Sequence, residues 1–329
     1  MPRPFAPRVR VSIYLSEWMP TNDVTRQSVA GYAAGGIDAG GVLSGIDKIA
    51  LPADTKTTLS ATLTSGRQQV TGFANSSVAG YSLGGQDSGD SAISGIDKIA
   101  FPADTKTTLS ATLTNASRAA AAFANSSVAG YYAGGYNAGV DSNYSTIDKI
   151  TFPADSKSTL AATLTAAQRG VSGMSNQTVA GYASGGDGPH TNRIDKITYS
   201  NDSKSTLAAT LTNPGNGGSG FADSGVAGYY AGGRNNSDQY LTRIDKITFA
   251  SDTKSTLSAT LSRTKTYAGS GGFADSGVAG YACGGNGDGG YTNEIDKIAF
   301  PADTKTTLSA TLTSARFAMA GYANEGSFA

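Results

Sequence analysis

Cysteine is nearly absent from this sequence: Cys283 is the only one in 329 residues. No intrachain disulfide can form, and no redox motif is present. Cys283 follows Ala282 and precedes Gly284-Gly285, which suits a buried strand end better than a reactive thiol. Histidine is equally scarce. His190 stands alone in the polar run GDGPHTN, so a zinc site built from several histidines is excluded. Charge is sparse, at 15% of residues, and balanced, with 25 Lys plus Arg against 25 Asp plus Glu. Such a chain has no broad basic field, so neither nucleic acid nor an anionic membrane is an expected partner. No apolar run approaches the roughly eighteen residues of a membrane span. The opening MPRPFAPRVRVSIYLSEWMP is basic but has no apolar core followed by a small-residue cleavage site, so no cleaved secretion signal is expected. Nucleophile elbow, phosphate loop and zinc signatures are missing, and the glycine-rich GGNGDGG has no Lys-Ser or Lys-Thr end. No catalytic residue, cofactor or metal is expected.

Glycine, by contrast, is abundant at 43 residues, without the three-residue period of collagen. What organises the chain is one phrase, STIDKITFPADSKSTLAATLT from Ser145 to Thr165, which recurs with small changes. Its Ile-Asp-Lys-Ile core begins at Ile46, Ile96, Ile147, Ile194, Ile244 and Ile295, so it advances by 50, 51, 47, 50 and 51 residues. A catalytic motif is normally needed once. A phrase used six times at even spacing is a building unit.

The third copy shows what one unit contains. AAFA and VAGYYA are short apolar pieces separated by Asn125-Ser126-Ser127, which predicts strand, tight turn, strand. Gly134-Gly135 ends the second strand, where the backbone must turn without a side chain. A polar loop follows, from Tyr136 to Tyr144. STIDKITF carries isoleucines on both faces, Ile147 on one and Ile150 on the other, which predicts a strand packed between neighbours. PADSK is the next turn, with Pro153 setting a dihedral and Asp155 accepting backbone hydrogen bonds. STLAATLT, Ser158 to Thr165, reads as the fourth strand.

Four short antiparallel strands cannot bury both faces of one sheet alone. Sheets packed face to face around an axis can, and that arrangement is a β-propeller. The threonine and glycine content argues against a helical solenoid, and the competing fold, a linear β-solenoid, usually has turns shorter than this repeat. The ends favour a ring. After Arg316, FAMAGYANEGSFA supplies only a first strand, whereas SVAGYAAGG, Ser28 to Gly36, is a second strand without a first. Joined, they complete one unit and remove an exposed edge. The expected fold is therefore all-β, a single six-bladed β-propeller of four antiparallel strands per blade, over residues 28–329, with the first blade closed by both chain ends. Phe317 to Tyr322 is expected to pair beside Val29 to Ala34. Residues 1–27 are expected to form an N-terminal docking arm. Within it Val9 to Trp18 is strand-like, and Trp18 is the expected aromatic anchor.

The tyrosine strand ending in a glycine pair resembles the kelch repeat. It occurs as Tyr32 with Gly35-Gly36, Tyr81 with Gly84-Gly85, Tyr132 with Gly134-Gly135, Tyr182 with Gly185-Gly186, Tyr230 with Gly232-Gly233 and Tyr281 with Gly284-Gly285. Arg67, Arg118, Arg169, Arg263 and Arg316 stand where the resemblance implies an arginine after the fourth strand. The fourth unit departs from it with NPGNGGSG, and Leu59, Leu109, Leu160, Leu207, Leu257 and Leu308 stand near the place of the kelch tryptophan. The phrasing VAGYYAGG, STIDKITF and TL looks more like propeller repeats in predicted tail or virion proteins of aquatic bacteriophages. That resemblance implies a virion component of tail or outer surface, with a bacterial extracellular protein as the alternative.

Each unit also holds two aspartates seven residues apart: Asp47 and Asp54, Asp97 and Asp104, Asp148 and Asp155, Asp195 and Asp202, Asp245 and Asp252, Asp296 and Asp303. They read as structural. The second caps a turn and the first lies near its adjoining lysine or a backbone amide. Repeated calcium sites are the alternative. The units differ most between their second and third strands, on loops that share a face with the blade-to-blade connections. There Tyr136, Asn137, Asn143, Tyr144, His190, Arg234, Asn235, Tyr240 and Tyr291 are candidate contacts for a glycan or protein, against ordinary solvated loops as the alternative. The function expected is a non-catalytic structural or adhesive virion module, joined to other virion proteins through residues 1–27. A carbohydrate-binding lectin is the alternative, and a hydrolase with an unrecognised central pocket is a third.

Overall fold

A computed structural model describes residues 29–266 and 271–324. It contains six four-stranded antiparallel sheets, each in the order innermost to outermost strand. Blade 3 is typical, with strands Ala121–Asn125, Ala129–Ala133, Ile147–Thr151 and Ser156–Thr159. Blade 1 is built from both ends. Its innermost strand is Ala320–Asn324 and its second is Val29–Ala34, antiparallel, with Tyr322 opposite Tyr32 and Ala320 opposite Ala34. The pairing begins three residues later than the sequence suggests, because Phe317 instead bridges to Ile37. The expected docking arm, residues 1–27 with Trp18, lies outside the described residues.

The core is six interfaces between neighbouring blades. Ile150 packs with blade 2 around Phe73 and Tyr81, whereas Ile147 packs with blade 4 around Val171 and Tyr199. One glycine per blade makes this possible. Gly31, Gly80, Gly130, Gly181, Gly228 and Gly280 each lie under a large side chain of the preceding blade's innermost strand: Phe273, Tyr322, Phe73, Phe123, Met174 and Phe221. A β-carbon at any of them would occupy the space of that side chain. The glycine before the strand tyrosine is thus required by close packing, not by backbone conformation.

The fourth strand differs from expectation. It covers Ser156–Thr159, starting inside the predicted turn, and Leu160 to Thr165 lies outside it. The outermost strand has only a short partner ladder, and the chain then leaves the edge to reach the next blade. Leu164 is buried in the interface on the way. Four-residue edge strands offer little template for pairing with another chain.

Candidate functional site

Both aspartates of every unit are used to join blades. The first is almost fully buried. It accepts the backbone N–H and hydroxyl of a threonine or serine from the preceding blade's exit segment, on separate oxygens for Thr313 to Asp47, Thr64 to Asp97, Thr114 to Asp148, Thr165 to Asp195 and Thr212 to Asp245, and on the same oxygen for Ser262 to Asp296. The N–H···O distances run from 2.7 to 3.0 Å. A threonine of its own outermost strand adds a further bond, as from Thr159 to Asp148 at 2.7 Å. Burial alone would raise the Asp97 carboxyl; the Arg67 charge and the Thr64 and Thr108 bonds outweigh it and hold the group below its ordinary value. The second aspartate has φ between 51° and 55°, a left-handed turn conformation that aspartate tolerates. It clamps the preceding blade. Tyr81 donates to Asp155 at 2.7 Å and Lys98 at 2.6 Å, and the same triad is formed by Tyr32, Lys48 and Asp104, and onward round the ring to Tyr281, Lys297 and Asp54.

Three sequence readings change here. The lysine pairs with the next blade's second aspartate and not with the aspartate beside it, because strand alternation points the two adjacent side chains to opposite faces. The tyrosines equivalent to Tyr32 and Tyr81 are Tyr131 and Tyr229, opposite Lys149 and Lys246, so Tyr132 and Tyr230 stand one residue off. The five kelch-like arginines do not share one place. Arg67 and Arg316 are buried on Asp97 and Asp47. Arg118 and Arg169 sit one residue further along, on the surface beside the axis, and Arg263 pairs with Glu294 at 2.7 Å.

On the axis itself the molecule is nearly closed. Innermost strands bring Gly72, Ala74, Ala122, Ala124, Gly173 and Ser175 to a channel of about 120 Å³, and among the described residues no titratable side chain lines it. The channel is narrow because small residues let the strand backbones touch; a β-carbon on Gly173 would meet the Ala122 carbonyl.

The mouth of the channel, on the face of the second-to-third-strand loops, is different. Each blade-to-blade linker forms a short antiparallel bridge with the residue after the next glycine pair. These pairs are Phe317 with Ile37, Gln68 with Gln86, Arg118 with Tyr136, Arg169 with Asp187, Asn216 with Arg234 and Thr266 with Asn286. The ring encloses a cavity of about 340 Å³ lined by Arg118, Tyr136, Arg169, Asp187, Asn216, Arg234, Tyr240, Thr266, Asn286 and Phe317, among others. The Arg169 and Arg118 guanidinium carbons lie 4.4 and 5.3 Å from the Tyr136 ring centroid, within cation–π range. Arg169 also donates to Asp187 Oδ2 through Nε and Nη2, at 3.2 and 3.1 Å. His190 Nδ1 lies 3.3 Å from the other Asp187 oxygen, and its Nε2 is 2.9 Å from Asn216 Nδ2. Arg234 lies 3.4 Å from the exposed Asp238.

The candidate contacts therefore divide. Tyr136, Arg234 and Tyr240 line the mouth, and His190 buttresses Asp187 and Asn216 beside it. The Tyr291 ring lies tilted against Phe317, 5.0 Å between centroids, and supports the wall. Asn137 and Asn235 serve their own loops, accepting backbone N–H bonds from Gly139 and from Ser237 and Gln239. Asn143 pairs through its backbone with Tyr136, and the Tyr144 amide donates to Gly135. Arg118, Arg169, Asp187, Asn216, Thr266, Asn286 and Phe317 were not among the expected contacts. Their signal in the sequence is spacing: all the linker members stand five residues after a buried leucine (Leu113, Leu164, Leu211, Leu261, Leu312), whereas the buried Arg67 stands four after Leu63. No protein-family model matches the chain and no curated protein is similar to it, so the kelch and bacteriophage resemblances rest on the quoted residues alone.

Proposed function

We propose that the chain is a non-catalytic adhesive module that captures a ligand in the axial mouth of its variable face. One observation carries this reading. Positions that build the ring are repeated, with the same Asp-Lys pair in all six units, yet the position after the glycine pair is Ile37, Gln86, Tyr136, Asp187, Arg234 and Asn286 in turn. Four of these six different residues, Tyr136, Asp187, Arg234 and Asn286, line one cavity held by a rigid frame, which is how a repeated scaffold acquires a single specific site. The bacteriophage-like phrasing of the repeat supports a virion setting, at the tail or outer surface, with residues 1–27 as the attachment to other particle proteins and a host-surface glycan or protein as the ligand.

The test is adhesion of the labelled chain to bacterial cells. Arg234→Ala with Tyr240→Ala should abolish saturable binding without changing the melting temperature. Val179→Ser, on the exposed hairpin turn of the opposite face, should leave binding intact. Adhesion that survives the mouth variants, or is lost in Val179→Ser, overturns the assignment. The virion setting is checked separately, by finding the chain in a mass-spectrometric inventory of purified particles.

A further inference from the structure

The mouth is chemically lopsided. Arg118, Arg169 and Arg234 come from neighbouring segments of the ring, and Phe317, backed by Tyr291, stands at another. Three guanidinium groups face one carboxylate among the lining residues, that of Asp187. Asp187 is taken by Arg169, and Arg234 is drawn outward to Asp238. Arg118 has no carboxylate within ion-pair distance among the described residues, although it is half-buried and its neighbour Arg169 is also a cation. Burial holds its guanidinium below the ordinary arginine range and the Arg169 charge acts in the same direction, while Tyr136 and the more distant Asp90 carboxylate only partly offset them. A cation kept in such a place gains an attractive partner when an anion enters, and a planar guanidinium favours a carboxylate held by two parallel N–H bonds.

Between the charged and apolar sides lie Asn216, Thr266, Asn286 and Tyr240; the Asn216 amide nitrogen is engaged by His190 and the Thr266 hydroxyl donates to the Gly217 carbonyl, which leaves their oxygens as acceptors beside the Asn286 amide and the Tyr240 hydroxyl. A cavity of about 340 Å³ is at the lower end of the range of small-molecule sites. An anion, several hydroxyls and a weakly apolar ring face, in one compact unit, describe a sugar acid. A peptide segment would instead need a strand edge for its backbone, and the mouth's short bridges are already paired.

Resting on the adhesive reading above, we propose that the mouth recognises an acidic saccharide, its anionic group on Arg118 and its ring against the Phe317 side. The probe is a glycan array of neutral, carboxylated and sulfated oligosaccharides, read with the full chain. Binding should be confined to anionic glycans and should weaken as salt is raised. The carboxylated and sulfated spots then tell which anion the guanidinium takes. Arg118→Gln should lower affinity for the acidic glycan at least tenfold. The ring already carries glutamine at the equivalent Gln68, so the fold is expected to tolerate it, and an unchanged melting temperature verifies that. Arg118→Lys, which keeps the charge but not the planar fork, should recover part of the loss. Equal binding of neutral glycans, no bound glycan of any class, a preference for acidic peptides, or full affinity in Arg118→Gln overturns the proposal. The adhesive reading survives each of these outcomes if Arg234→Ala with Tyr240→Ala still abolishes cell binding, and falls by itself if it does not.

Discussion

The position four residues after each linker's buried leucine carries Arg67, Ser117, Gln168, Gly215, Lys265 and Arg316 in turn. The residue after the clamping tyrosine of the blade it enters is Ser82, Tyr132, Ala183, Tyr230, Ala282 and Ala33. Where the first is small the second is tyrosine. Tyr132 donates to the Ser117 carbonyl at 3.0 Å, and Tyr230 accepts the Gly218 amide at 3.2 Å. The two positions share one space, filled from either side. Tyr132→Ala should cost about 3–5 kcal/mol, as aromatic truncations in cores do. Adding Ser117→Arg should recover part of that, since the guanidinium enters the vacated space beside Asp148. Urea denaturation of single and double variants checks this, and a double variant no more stable than Tyr132→Ala refutes the shared space. Cys283 is a simpler case. Burial pushes its thiol up to about 12, so a disulfide reagent should leave it untouched in the native protein and modify it fully in denaturant.

Among strands, the recurrent contact is an aromatic or methionine plate laid over a glycine of the next blade. Burying large rings against backbone brings the sheets close, and neighbouring rings stack, as Tyr81 does on Phe152 at 5.2 Å. Gly130→Ala drives a methyl into the Phe73 ring, and the ring has little room to move within the blade 2–blade 3 core. Overpacking of this kind costs about 1–3 kcal/mol. Phe73→Leu in the same chain should relieve part of it, because a smaller side chain leaves room for the methyl. Thermal melts of the three variants give the coupling, and strict additivity of the two single effects would show that ring and methyl do not meet.

For the whole molecule, closure and ionisation set the stability. Removing residues 317–329 deletes the Ala320–Asn324 strand, exposes the Val29–Ala34 edge and leaves Phe273 and Gly80 without their inner-strand neighbours. The truncated chain should melt well below the intact one and self-associate; equal melting would mean that closure adds nothing. The pH limits follow from sign. Asp47, Asp97 and Asp296 have folded values below their unfolded value near 3.9, so their contribution is present above that pH and is lost as pH falls through the folded values. Burial raises Tyr32, Tyr81, Tyr131, Tyr182, Tyr229 and Tyr281 above about 10, and their bonds to the clamping aspartates act the same way. Their contribution is full below pH ~10 and is lost above it. Denaturation should therefore show a plateau from about pH 5 to 10 with a fall on either side. Tyrosine absorbance should rise in a cooperative step with alkaline unfolding. A smooth titration of all tyrosines near pH 10 would contradict the clamps.

Blade number, strand order and the shared first blade were all legible in the sequence, because a repeat of some fifty residues with two-sided apolar strands has few ways to bury itself, and the split unit at the ends leaves a ring as the way to do so. The variable loops were legible for the same reason, as the stretches where six copies disagree. Pairing across blades was not. Asp148 and Lys149 are neighbours in the chain yet belong to different interfaces, and only the stacking of sheets shows that the lysine reaches Asp202 at 2.7 Å while the aspartate takes Thr114. The mouth was hidden by a single residue of register. Arg67 and Arg118 look equivalent in the sequence, but a one-residue offset in an extended segment turns a side chain from one side to the other. One guanidinium is therefore sealed against Asp97, and the other is left facing the axis without a carboxylate partner among the described residues.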